Sequence, residues 1–250
     1  MSDHDPQLQT VAALIGDASR ATILLSLMGG RQLPASDLAR RAHIAPATCS
    51  EHLTKLVAGG LVTGRAQGRS RYYRLASAEV AEVLEGLLQI APPASVRSLQ
   101  ESTLTQQLHA ARTCYDHLAG QLGIAVTEAM QQAQWLSADP DTGLLSITAD
   151  GAQQFAQWGL ALAPRSARPL IRSCLDWSER RYHIAGQLGA AVAQWFFHEE
   201  WVERGGSGRI IRVTARGASA LNEMLGLVWP PLPTQNHPSA SLLHDRNQGR

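Results

Sequence analysis

The C-terminal half of this 250-residue chain repeats itself, and that repeat limits the available folds more than any other feature. Arg112-Thr-Cys114-Tyr-Asp116-His117-Leu-Ala-Gly120-Gln-Leu-Gly123 returns as Arg172-Ser-Cys174-Leu-Asp176 and then His183-Ile-Ala-Gly186-Gln-Leu-Gly189, with six extra residues, Trp177–Tyr182, between aspartate and histidine. After the glycines the copies align without gaps: Trp135 matches Trp201, the strand-like Leu144–Thr148 matches Ile210–Thr214, and Gly151 matches Gly217. Each copy reads helix, turn, short hairpin ending in Thr-x-x-Gly, helix. Repeated units bury their apolar faces on each other, and an interface between two pseudo-symmetric units is a natural place for a pocket.

The N-terminal part has a different organisation. Leu8 to Ile15 has helical apolar spacing, and Asp17 or Ser19 then caps a second helix carrying Ile23, Leu24, Leu27 and Met28. Gly29-Gly30 stops it. Ser36-Asp37 is expected to cap a third helix with Leu38 and Ala39 inward, and Pro46 to open a fourth at the first-turn position that tolerates proline. That helix turns Cys49, Leu53 and Leu56 inward and ends at Gly59-Gly60. Two short strands follow, Leu61–Arg65 and Arg71–Leu75, joined by Ala66-Gln-Gly-Arg-Ser70, and then an amphipathic helix, Glu79–Ile90. Helices with a hairpin inserted before the last one are the winged helix-turn-helix order.

These residues resemble the ArsR family of transcriptional regulators. The resemblance runs through Leu14-Ile-Gly-Asp17-Ala-Ser-Arg20, Ser36-Asp-Leu-Ala39, Ser50-Glu-His-Leu53-Thr-Lys-Leu56, Gly59-Gly-Leu-Val62 and Gly68-Arg-Ser-Arg-Tyr-Tyr-Arg-Leu75, which occur in the family's order over about the first 90 residues. It implies a dimeric winged helix-turn-helix repressor that binds double-stranded operator DNA. The expected fold class is mainly α with short β hairpins (α+β). A DNA-binding and dimerisation domain spans 1–91, a linker or extended helix 92–111, and a sensor module 112–228, with repeats at 112–160 and 172–227; a disordered tail, 229–250, follows. Each repeat resembles a degenerate winged-helix unit whose reading helix has lost its basic face.

Base edges in a major groove are read from the outer face of one helix. On the fourth helix that face carries Ala47, Thr48, Ser50, Glu51, Thr54 and Lys55, while His52 reads as a packing and capping residue. A net charge of +1 means that any attraction to DNA must be local. Arg65, Arg69, Arg71 and Arg74, with Gln67 and Ser70 and no acidic residue among them, supply it on the hairpin, placed to straddle phosphates or enter the minor groove. One of Tyr72 and Tyr73 should pack beneath the wing. Val80, Val83, Leu84, Leu87 and Leu88 give the last helix an apolar stripe for a homodimer seam, and the helical stretch Ser98–Gly120 is a candidate to prolong it.

The signal that the protein answers has several candidates. The family often binds metal through a cysteine pair in the third helix or through aspartate and histidine on the last one, and this chain has neither. Effector candidates are therefore Cys114, His117, Cys174, Asp176 and His183 of the repeat. On a continuous helix Cys114 and His117 would share a face. Asp176-Trp-Ser-Glu179 fits a capping box, which would set Cys174 beside a helix N-terminus with Arg172, Arg180 and Arg181 near it, favouring a reactive thiolate. A buried inert role, a thiol or redox switch, a divalent metal held by Cys114, His117, Cys174 and His183, and an organic ligand between walls such as Trp135, Trp158, Trp177, Trp195, Phe196, Phe197 and Trp201 all stay open. The six inserted residues break the symmetry of a four-ligand site. Cys49 reads as core.

Three widely spaced cysteines argue for a reducing cytoplasm, and no signal peptide or membrane-length apolar run is seen. The reading is not an enzyme: a nucleophile role for Cys174 with His183 or His117 as base has no accompanying motif. A DNA-bound architectural adaptor is the other alternative.

Overall fold

A computed structural model describes residues 8–92, 98–160, 162, 168–206 and 208–230. The N-terminal part runs α1 (Leu8–Ile15), α2 (Ala18–Leu27), β1 (Leu33–Pro34), α3 (Ala35–Ala42), α4 (Pro46–Ala58), β2 (Val62–Gln67), β3 (Ser70–Leu75) and α5 (Ala78–Ile90). Asp17 caps α2 by accepting the Arg20 N–H at 2.9 Å, and Ser77 caps α5 by accepting from Val80. The α3 cap differs from expectation: Pro34 occupies that position without a side-chain bond, and Ser36 and Asp37 lie inside the first turn.

The hairpin is longer than its alternation suggests. β2 and β3 pair from Val62↔Leu75 to Gln67↔Ser70, so only Gly68 and Arg69 form the turn, with Gly68 at φ +60°. β1 adds a third strand through Leu33↔Tyr73. Two residues, one of them proline, carry no strand period, and proline is tolerated there because β1 is an edge.

The C-terminal part begins with α6 (Leu99–Ala110) and continues through β4 (Arg112–Thr113), β5 (Leu118–Ala119), α7 (Gly120–Gln132), β6 (Leu136–Ala138), β7 (Leu145–Ile147) and α8 (Ala149–Gln157). The second copy is β8 (Arg172–Leu175), β9 (Tyr182–Ala185), α9 (Gly186–His198), β10 (Val202–Arg204), β11 (Ile211–Val213) and α10 (Ala215–Leu225). Each copy thus opens with an additional hairpin that periodicity did not show. The helix expected over Ser98–Gly120 ends at Ala110; the Arg112 side chain turns into the interior, and Gly120 starts α7 with φ +73°.

The Thr-x-x-Gly element has a steric cause. Thr148 and Thr214 cap α8 and α10 by accepting the Gly151 and Gly217 N–H at 2.9 Å, and each also donates to a carbonyl of the preceding turn, Gln134 or Glu200, at 2.7 Å. A Cβ on either glycine would lie 2.0 Å from the Trp135 or Trp201 carbonyl oxygen, so only glycine lets the helix start there.

Among the described residues two apolar cores result. Ile23, Leu24, Leu27, Leu38, Leu53 and Leu56 centre the first; Leu122, Met130 and Phe155 of one repeat join Leu188, Phe196 and Leu221 of the other in the second. Four of the expected ligand walls are core: Trp158 stacks on Trp195 at 4.4 Å, and Trp135 and Trp201 pack edge-on against Phe155 and Phe196, whereas Trp177 lies against the Arg112 guanidinium, 4.5 Å from its ring centre. Among the described residues no single helix is long and apolar enough to cross a membrane. Of the expected tail, 231–250 lies outside the described residues, as do 93–97 of the linker.

Candidate functional site

Two constellations stand out. The first is the outer face of α4 with the wing. Cys49, Leu53 and Leu56 are buried, as the periodicity requires, and Thr48, Ser50, Glu51, Thr54 and Lys55 are exposed. Ser50 and Thr54 donate their hydroxyls to the Pro46 and Ser50 carbonyls, which holds both side chains close to the helix. Arg65, Gln67, Arg69, Ser70 and Arg71 are exposed along the wing. Among the described residues none of Arg65, Arg69, Arg71 and Arg74 enters an ion pair; the Arg71 guanidinium lies 5.7 Å from the Tyr73 ring centre. Tyr73 packs on the core, so it is the tyrosine beneath the wing. His52 sits against Arg20 at 3.5 Å and within 4.0 Å of Asp17, a packing position beside the α2 cap.

The second constellation joins both repeats; Cys114, His117 and His183 are buried and Cys174 is half-buried. Cys114 and His117 do not share a helix face; they close the turn between β4 and β5, where the Cys114 N–H donates to the His117 carbonyl at 3.0 Å. Cys174 and His183 face each other across the β8–β9 register. Residues 177–179 form a turn rather than a helix, with Asp176 Oδ1 accepting from the Ser178 and Glu179 N–H at 2.9 and 3.1 Å. The apparent capping box is therefore a hairpin turn, and no helix dipole acts on Cys174. The six-residue insertion lengthens this hairpin without moving the cysteine and histidine out of their equivalent places.

The two hairpins meet on a pseudo-dyad. His117 Nε2 lies 3.2 Å from His183 Nε2; a Cβ at Gly189 would lie 3.1 Å from His117 Cβ, and one at the equivalent Gly123 would lie 2.6 Å from the Leu118 carbonyl oxygen. One ligand atom from each of Cys114, His117, Cys174 and His183 falls within 4.8 Å of the other three. Behind each imidazole stands a carboxylate of its own repeat: His117 Nδ1 is 3.3 Å from Asp116 Oδ1, and His183 Nδ1 is 3.4 Å from Asp176 Oδ2. Arg168 clamps Asp116 with two bonds, at 2.5 and 2.9 Å. Asp176 is fully buried, and its oxygens accept from Arg112 at 2.7 Å, Gly120 N–H at 2.7 Å and the Ser178 hydroxyl at 2.8 Å. Its lone pairs are thus committed, and it orients rather than ligates.

Burial and neighbours set the protonation. Desolvation would lower His117, but the Cys114 sulfur and Asp116 outweigh it and hold its pKa up to about 9. Desolvation and the adjacent His117 cation push His183 well below the usual range. The two rings therefore share one proton. Desolvation would raise Asp116, yet hydrogen bonds from His117 and Arg168 bring it down to about 2. The Cys114 thiol is pushed well up, first by its hydrogen bond with Cys174 and then by burial. A nucleophilic cysteine needs the opposite shift.

A cavity of about 750 Å³ opens beside this cluster, between α5 and the hairpins, lined by Glu82, Glu85, Cys114, His117 and Cys174 among others. Sequence reasoning treated α5 only as a dimer seam. Glu85 is buried and pairs with Arg209 of the second repeat, and Arg172 pairs with Glu82. Acids three apart on an otherwise apolar helix were the available signal. The remaining α5 stripe splits: Leu84 enters the core, and Val83, Leu87 and Ile90 stay exposed on one side.

The model of the helix-turn-helix domain family matches residues 15–65. The chain is 42% identical over 226 residues, 89% of its length, to 99% of the uncharacterized HTH-type transcriptional regulator YdfF of Bacillus subtilis (strain 168). It is 32% identical over 81 residues, 32% of the chain, to 77% of the arsenical resistance operon repressor of Staphylococcus aureus. A solved homodimeric winged helix-turn-helix DNA-binding domain, Mb0332 from Mycobacterium bovis, is 27% identical over 36% of this chain and 88% of that chain, with a TM-score of 0.31. YdfF is matched along both halves. With the winged helix-turn-helix element order described above, these sequence likenesses show that the chain belongs to the ArsR-type winged helix-turn-helix transcriptional regulators.

Proposed function

We propose that this protein is a homodimeric, sequence-specific repressor whose C-terminal module takes an effector. Residues 1–91 bind DNA and dimerise, and 112–228 form the effector unit. Thr48, Ser50, Glu51, Thr54 and Lys55 on α4 meet base edges and nearby phosphates in the major groove. Arg65, Gln67, Arg69, Ser70 and Arg71 hold the backbone from the wing. The observation that carries this reading is the exposure of all ten side chains above a fully buried inner face, with the wing arginines in no ion pair among the described residues. Such cations are available to phosphates, and phosphate contacts supply affinity while base contacts supply sequence preference.

A single head makes few contacts, so two heads one helical turn apart are needed for tight binding. Val83, Leu87 and Ile90, 52%, 39% and 81% exposed, form the apolar stripe that a second copy would cover. A DNA operator as target puts the protein in the cytoplasm. The arsenical repressor relative supports the repressor sign.

The test is a mobility shift of genomic fragments with the full chain at moderate salt. The proposal expects a small set of fragments retarded as a dimer complex, and loss of retardation in an Arg65→Ala/Arg69→Ala/Arg71→Ala variant that still folds. Absence of any selected fragment, or equal binding of all of them, would overturn it.

A further inference from the structure

We infer that Cys114, His117, Cys174 and His183 form a tetrahedral binding site for one thiolate-preferring divalent metal ion of the zinc class, seated where the two repeats meet α5. The site lies away from α3 and outside the α5 residues, in the duplicated module. Zinc sites of two cysteines and two histidines place metal–nitrogen bonds at about 2.0–2.1 Å, which sets two tetrahedral nitrogens about 3.3 Å apart. The observed His117 Nε2–His183 Nε2 separation is 3.2 Å.

The surroundings argue the same way. Metal-bound histidines turn their second nitrogen to a carboxylate, which fixes the ring and makes the coordinating nitrogen more basic. Here both do so, toward Asp116 and Asp176. A nitrogen that donates to a carboxylate leaves the opposite nitrogen as an acceptor; with both Nδ1 atoms so engaged, two acceptors would face each other at 3.2 Å. Something positive must lie between them, a proton or a cation. Two sulfur atoms in reach make a soft or borderline metal the better occupant. His183 Nδ1 closes no hydrogen bond as the rings now stand, and a metal on Nε2 would draw its N–H onto Asp176. On coordination the two thiols and the imidazole pair release their three protons to solvent, and two thiolates neutralise the ion's charge.

The site is also wired to the DNA-binding part. The Cys114 carbonyl accepts the N–H of Gly29, at the end of α2, at 3.0 Å. Leu175, next to Cys174, accepts from Gln89 of α5 at 3.1 Å. Filling the site therefore shifts backbone that α2 and α5 hold. Only this second consequence rests on the regulator reading above.

The test uses the full chain, reduced and stripped with chelator, titrated with Co²⁺ and then Zn²⁺. One equivalent of Co²⁺ should give the intense visible bands of tetrahedral cobalt with a thiolate charge-transfer band, both abolished by Zn²⁺. Cys174→Ser and His117→Gln should lose them, and Asp116→Asn, which keeps all four ligands, should weaken the metal by about 10–100-fold. A folded wild type with no tetrahedral spectrum, or one unchanged in the ligand variants, overturns the site. A Cys114–Cys174 disulfide formed in preference to metal binding overturns it as well. In a second arm, operator affinity is measured with and without Zn²⁺; a change of about 5–150-fold is expected. Metal binding with operator affinity unchanged would overturn the coupling alone, and failure to bind any operator would overturn the regulator reading while leaving the site standing.

Discussion

Glu85 of α5 and Arg209 of the second repeat form an ion pair, 5% and 7% exposed at the side chain, that locks the DNA-binding part to the duplicated module. A buried pair is weak as a net stabiliser, but removing one partner strands the other charge at about 3–5 kcal/mol. Glu85→Gln should therefore lower the urea midpoint by about that amount of stability. A loss below about 1 kcal/mol would show that water reaches Arg209.

Arg112 and Asp176 make the corresponding bond between repeats, with both side chains fully buried. Asp176→Asn should cost about 3–5 kcal/mol, and Asp139→Asn, in an exposed loop, should cost almost nothing. Equal effects of the two would remove the case for a structural Asp176.

The Thr-x-x-Gly glycines are a steric test of the repeat. Gly151→Ala and Gly217→Ala each put a methyl 2.0 Å from a backbone oxygen, so each should destabilise by about 1–3 kcal/mol or more. Equilibrium denaturation of both variants gives the answer. A neutral change at either would mean that the helix start is free to move.

At the proposed seam, Leu87→Glu places a charge on the exposed α5 stripe. Sedimentation should show the mass halved and operator binding weakened by at least about tenfold, with the monomer fold intact. A dimer that survives this change uses another surface.

The sequence carried the DNA-binding half well because local signals there agree with the tertiary outcome. Asp17 caps, Pro46 opens a helix, and Cys49, Leu53 and Leu56 point in because the helical period says so. The repeat was also legible, down to the glycines. The placement of Cys114 and His117 was not. Two-residue strands such as Arg112–Thr113 have no period to detect, and Asp176-Trp-Ser-Glu179 satisfies a helix cap and a hairpin turn equally. Which residues meet at the dyad depended on the hairpins, and so the cluster that the repeat hinted at became visible only once they were placed.

The most direct measurement is the affinity ratio between a selected operator fragment and a scrambled one of equal length, in wild type and two variants. A sequence-reading regulator binds its own site at least about 10³-fold more tightly. Thr48→Ala/Ser50→Ala/Thr54→Ala on α4 should lower that ratio. Arg65→Ala/Arg69→Ala/Arg71→Ala on the wing should weaken both fragments alike and reduce the salt slope by about 0.9 for each phosphate that is no longer neutralised. A wild-type ratio near one would contradict sequence-specific recognition by this protein.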